Sequence, residues 1–161
     1  MDQKPNKIEA IIWSILLPGF GQLLNGQIVK GLVLLTLIIL VNYKAKLNIV
    51  MIASFNGDIQ RSIEVTDYQW LMFYPCLYMF AIWDAYKDAK GENGFLAYYP
   101  FVVAAYFITV GLIFSSTLDF FGLKLGPVFL PVIFAGIGVW IGFWLRKVAI
   151  KMVRKSQNKS Q

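Results

Sequence analysis

Three stretches of this chain, 10–29, 93–118 and 125–145, run for 20 residues or more without a charged side chain. As a helix rising 1.5 Å per residue, each is long enough to cross the ~30 Å hydrocarbon core of a bilayer. The rest of the composition agrees. Of 161 residues, 58% are hydrophobic and only 15% charged, and the mean hydropathy is +0.60. That is well above the balance of a water-soluble domain, so a soluble fold, a secreted disulfide scaffold and a disordered tail are excluded. The expected class is an all-α integral membrane protein in a single membrane domain, 1–161, with no appended soluble catalytic module.

The residues that are missing narrow the chemistry. With no histidine, one cysteine and nine acids mostly near segment ends, the chain is not expected to build a zinc or iron site or a histidine-based triad. Neither an enzymatic activity nor a cofactor is expected. Cys76, among Tyr74, Pro75, Leu77 and Tyr78, reads as a small buried apolar residue. The opening resembles a signal peptide in outline, but Pro18-Gly19-Phe20-Gly21 stands where a small-residue cleavage site belongs, so the segment is expected to be retained.

Along the chain, 8–17 is a short apolar run that Pro18 and Gly19 should interrupt, since proline removes a helix hydrogen bond and glycine frees the backbone. The span 8–24 is therefore expected as a re-entrant or interfacial helix rather than a full crossing. A crossing over 28–43 follows, about 22 Å in its apolar part, with Lys30 snorkelling at its start and Tyr43, Lys44 and Lys46 anchoring its end. Residues 48–66 carry two β-branched runs around Asn56-Gly57-Asp58, and Asn-Gly readily takes the positive φ angles of a two-residue turn; a small extracytoplasmic β-hairpin is predicted. Crossings over 68–86, 95–118 and 127–145 complete the domain. Pro75, Pro100 and Pro131 are expected at kinks or in first turns. The tail 146–161, with six basic residues and no acid, should start as a helical extension, fray from Ser156 onward and be drawn to the anionic leaflet.

Counting Lys and Arg orients these segments, because positive loops stay cytoplasmic. With four crossings, eleven positives lie inside and four, Lys44, Lys46, Arg61 and Lys124, outside. If 8–24 also crossed, the best orientation would leave nine inside and six outside. The four-crossing arrangement is preferred and puts both termini in the cytoplasm of a multi-pass cell-membrane protein.

The most specific local pattern is Pro18-Gly19-Phe20-Gly21-Gln22-Leu23-Leu24-Asn25-Gly26-Gln27-Ile28-Val29-Lys30-Gly31, joined later by Trp83-Asp84-Ala85. It resembles the TM2-domain group of small membrane proteins, in which a glycine-rich turn joins two helices and a later helix ends in tryptophan and aspartate. The turn here is shorter and lacks that group's Asp-Arg-Phe-Tyr stretch. The same Gly-Gln, Asn-Gly and Lys-Gly pattern also resembles the N-terminal segment of ABC-type sugar permeases, although the chain is too short for a permease core and shows no Glu-Ala-Ala coupling loop. The resemblance implies a bacterial multi-pass membrane protein and transfers no active residue.

Physically, the turn offers amide N–H groups at a helix start with Lys30 one turn in. Asn25, Gly26, Gln27 and Lys30 are thus a candidate site for a lipid phosphate or a partner's carboxylate. The alternative is that these polar residues satisfy a tight turn while Lys30 snorkels. Asp84 and Asp119 are the candidate polar intramembrane residues; Asp84, with Lys87 three residues on, is the more easily read as an interfacial salt bridge. For helix packing the small-residue pairs are Gly138 with Gly142, Gly111 with Ser115, and Ala81 with Ala85; contacts within one bundle are favoured over dimerisation. The expected role is a non-enzymatic accessory or assembly subunit acting through protein or lipid contacts. Its partners would be the bilayer itself, another membrane protein or a second copy, with anionic lipid a candidate and nucleic acid none. The competing role is a transporter or channel component using Asp84, Asp119, Thr109, Ser115 and Ser116.

Overall fold

The fold, a computed structural model describing residues 4–120 and 122–157, is all-helical apart from one two-residue ladder. Helix α1 (Lys7–Leu16) starts where Asn6 Oδ1 accepts the Glu9 N–H at 2.8 Å, with the Glu9 charge favourably placed in the first turn. It stops at Leu17, which is extended as a residue preceding proline prefers to be. Gly19, at φ +106°, reverses the chain into α2 (Phe20–Leu24). A side chain at Gly19 would strain that φ and strike the Gly31 carbonyl, so glycine is required there twice over.

Helix α2 ends on Gly26 at φ +78°, with the Gln27 N–H reaching back to Gln22 O (2.9 Å), which is the usual glycine C-cap geometry. Helix α3 (Ile28–Lys44) then buries Gly31, Leu34, Ile38 and Val41, one stripe at alternating spacings of three and four. It bends by 62° into α4 (Leu47–Phe55).

Residues 47–55 and 59–65 are helical, which corrects the predicted β-hairpin. Gly57 does take a positive φ, +81°, but as the residue after the Asn56 C-cap of α4, with the Asp58 N–H donating to Ala53 O at 2.9 Å. Asp58 then caps α5 (Ile59–Val65) by accepting the Arg61 N–H. An Asn-Gly-Asp corner suits a helix–helix junction as well as a strand turn, and here burial decides. Leu47, Val50, Ala53 and Ser54 recur at helical spacing, and Ser54 Oγ lies 2.7 Å from Ser62 Oγ in the seam between α4 and α5.

After the short α6 (Tyr68–Leu71), α7 (Tyr74–Asp88) and α8 (Tyr99–Phe114) each begin with a proline in the first turn, where its missing N–H costs nothing. A ladder of β1 (Asp119–Phe120) and β2 (Leu123–Lys124) turns the chain into α9 (Gly126–Gln157), with Pro131 inside it. The tail is therefore an unbroken continuation of the last helix as far as Gln157; residues 158–161 of the expected frayed end lie outside the described residues.

The helices stand antiparallel. Lys30 of α3 lies beside Asp84 of α7, and at the other end Lys44 lies over the Trp70 ring. Trp83 meets Tyr98 and Phe101 across the turn from α7 to α8. The α8–α9 seam is the closest: a β-carbon at Gly142 would lie 2.5 Å from Pro100 Cα, one at Gly138 2.8 Å from Ala104 Cα, and one at Gly111 3.0 Å from Pro131 Cα. These glycines let two backbones touch inside the fold. Among the described residues, α9 alone is long and apolar enough to cross a bilayer as a single helix. The bent α3–α4 pair passes the same test only as one span, and α8 is apolar but shorter.

Candidate functional site

The polar residues of the glycine-rich turn converge on one end of α7. On α2, Gln22 and Asn25 are three apart and share a face; Gln27 and Lys30, likewise three apart, open α3. On α7, Ala81, Ala85 and Asp88 fall at intervals of four and three, with Asp84 beside them. The alanines give α2 room to approach, since a β-carbon at Gly21 would lie 2.7 Å from that of Ala85. The wild-type glycine lets the amides reach the backbone. Gln22 Nε2 donates to Ala81 O at 2.7 Å and Asn25 Nδ2 to Ala85 O at 2.8 Å, using second lone pairs on helix carbonyls.

Charges complete the cluster. Lys30 Nζ lies 3.1 Å from Asp84 Oδ1 and 3.5 Å from Asp88 Oδ2, Lys87 Nζ lies 3.5 Å from Asp84 Oδ1, and Gln27 Nε2 donates to Asp88 Oδ2 at 2.6 Å. Two carboxylates face two ammoniums, so the cluster is neutral as a whole. Asp84 is the buried member, with 4% of its side chain exposed against 52% for Lys30. Asp88 lies past the apolar run of α7. Its partial burial opposes ionisation, yet the Gln27 amide and the Lys87 and Lys30 ammoniums prevail and hold its carboxyl below the usual carboxylate range. On the far side of the same amides, Gln22 Oε1, Asn25 Oδ1 and Gln27 Oε1 are buried with no hydrogen-bond partner among the described residues, as is Ser14 Oγ. Such a cluster ties a hairpin to a helix; it leaves no free acid or base beside a nucleophile.

The structure thus brings Asn25, Gln27, Lys30 and Asp84 together and sets Gly26 apart as the α2 cap. Among the described residues the anions against Lys30 are this chain's own carboxylates, Asp84 and Asp88, and the expected Asp84–Lys87 contact exists but is longer than that with Lys30. Gln22 is the participant that sequence reasoning missed. Its spacing to Asn25 was the available signal. Asp119 is not part of the cluster: it is exposed on β1, at the end of α8 remote from Asp84, in register with Lys124. Ser115 is buried, donating to Leu112 O and lying 3.1 Å from the Tyr68 hydroxyl, and Thr109 donates to Ala105 O of its own helix. Ala81 and Ala85 are fully buried. Cys76 is exposed on α7, contrary to the buried position expected of it.

The glycine-rich turn and Trp83-Asp84, the two segments that carry the TM2-domain resemblance, are therefore neighbours in space. No protein-family profile, no curated protein and no solved structure matches the chain.

Proposed function

We propose that this is a multi-pass cell-membrane protein that acts by contact, as an accessory or assembly subunit of a larger membrane complex. In this reading α3, α7, α8 and α9 cross the bilayer. Helices α1 and α2 form a hairpin that enters from the cytoplasmic face and returns to it, and both described ends lie on that side. One observation carries the reading: the charged side chains form two layers with an exposed apolar wall between them. Lys7, Lys30, Asp84, Asp88 and Arg146 gather at one end, where Arg146 Nε donates to Phe95 O. Lys44, Asp58, Arg61 and Asp67 gather at the other, where Ile59 packs on Gly126 and Phe55 on Phe129. Between them stand α3, α7 and α8, of 17, 15 and 16 residues, whose surface exposes Ile39, Phe80, Val102 and Tyr106. Water would penalise that wall; lipid or another helix would not.

Contact is favoured over transport because three of the five polar candidates for a path are already engaged, Asp84 in ion pairs and Thr109 and Ser115 with carbonyls of their own helix, while Asp119 is exposed at the far end of α8. With Cys76 replaced by alanine, single cysteines at Gly57 and Glu92 should label from opposite sides of intact cells, Gly57 from outside. Labelling of both from one side would overturn the crossing scheme. Photo-crosslinkers placed at Ile39 and Val102 should capture a discrete membrane-protein adduct at native expression. A particle that stays monomeric with no adduct from either position would remove the contact role.

A further inference from the structure

The start of α1 and the loop after α7 enclose two adjoining cavities that the ion-pair cluster does not use. One, of about 380 Å³, lies between Lys4, Asn6, Glu9 and Lys90. The other, of about 670 Å³, shares Asn6, Glu9 and Lys90 and continues as an open groove along Ile8, Ile12, Trp13 and Leu16. The chain holds this place together through its backbone, with the Lys90 N–H donating to Pro5 O at 3.0 Å and Asn6 bridging to Lys90.

The charges around the shared part are uncommitted. Neither the Glu9 carboxylate nor the Lys90 ammonium makes an ion pair or side-chain hydrogen bond among the described residues, although both line the same two cavities. Lys4 makes one long bond, 3.4 Å, to Asp88 O, leaving two of its three donors. Lys7, close by, is by contrast fully engaged, donating to Tyr86 O and Asn93 Oδ1 and lying over the Tyr86 ring. The groove is apolar and exposed: Ile8, Ile12 and Leu16 follow one another at intervals of four along one stripe of α1, each more than half exposed.

We propose that this cleft seats one phospholipid whose headgroup carries a primary amine. Its phosphate would lie between Lys4 and Lys90, its ammonium against Glu9, and an acyl chain along Ile8, Ile12, Trp13 and Leu16. Two cations and one carboxylate complement a zwitterion of that order. A purely anionic headgroup meets repulsion from Glu9, and a choline has no N–H to donate to it. The direction also fits, because α1 runs from the charged layer alongside α7 as far as Tyr78, whose hydroxyl donates to Ile15 O. This inference rests on the bilayer assignment proposed above.

Delipidated full-length protein, titrated in mild detergent and followed by native mass spectrometry, tests it. The first phosphatidylethanolamine should bind about fivefold more tightly than the first phosphatidylglycerol. Glu9→Gln should erase or reverse that preference, and Lys90→Gln should weaken both lipids by about the same factor. Neither side chain holds the fold together, so both variants should purify normally. Equal binding of the two lipids by the wild type, or an unchanged preference in Glu9→Gln, would overturn the site. Alkaline carbonate extraction reads the bilayer assignment separately: wild-type protein released by carbonate sinks both proposals, whereas retained protein without a lipid preference sinks only this one.

Discussion

Replacing Gly142 with valine is expected to destabilise the protein strongly, while the same change at Gly136, six residues earlier in α9, is tolerated. The two glycines share a helix and differ in what stands opposite. A β-carbon at 142 would lie 2.5 Å from Pro100 Cα, whereas nothing lies within 4 Å of one at 136. Pro100 is a ring in the first turn of α8 and has no flexible end to swing aside, so relief requires moving one helix away from the other. That opens the contacts further along the seam, at Gly138 against Ala104 and at Gly111 against Pro131. Overpacking of this kind costs about 3 kcal/mol or more where backbone must move, against about 0.5 kcal/mol for an unopposed surface change. Thermal unfolding of the two variants in the same detergent measures the difference. Equal melting temperatures would mean that α8 and α9 do not meet along this stripe.

The second large effect is an asymmetry within one ion pair. Lys30→Met should destabilise the protein by about 2 kcal/mol, because it leaves a buried carboxylate with Lys87 at 3.5 Å and the Gln22 amide at 3.3 Å as its remaining partners. Asp84→Asn should cost under about 1 kcal/mol, since the half-exposed Lys30 keeps Asp88 and stays hydrated. The double variant should fall well short of the sum of the two, recovering about 1 kcal/mol of coupling, because the asparagine no longer needs a cation. Melting temperatures of the four proteins close the cycle. A greater loss from Asp84→Asn than from Lys30→Met would show that the aspartate is not the buried member of the pair.

Much of this architecture was legible because backbone constraints are local. Pro18-Gly19 dictated a reversal after α1 whatever surrounded it; the prolines at 75 and 100, open to reading as kinks or first turns within 68–86 and 95–118, stand in the first turns of α7 and α8. The small residues at 111, 138 and 142 announced a close seam, since few structures other than helix contact call for that spacing. Two things were not legible. Asn56-Gly57-Asp58 supplies a positive φ and a cap, which serve a strand turn and a helix corner equally, so only the burial of Val50 and Ser62 separates them. The pairing of Lys30 with Asp84 spans 54 residues, and each residue alone reads as an interfacial charge. Lys87, nearer in sequence, was the obvious partner for Asp84, yet α2 brings the turn onto α7 and places Lys30 closer.

The short stature of α7 and α8 has a consequence for company. Fifteen or sixteen residues of helix rise about 22–24 Å, less than the ~30 Å of an average hydrocarbon core, so under the crossing scheme proposed above the surrounding lipid would have to compress to meet them. That compression is relieved wherever a neighbour of equal height replaces a ring of lipid. Under that scheme the protein would gather beside other squat assemblies and in thinner membranes, choosing associates by stature before any side chain has made contact.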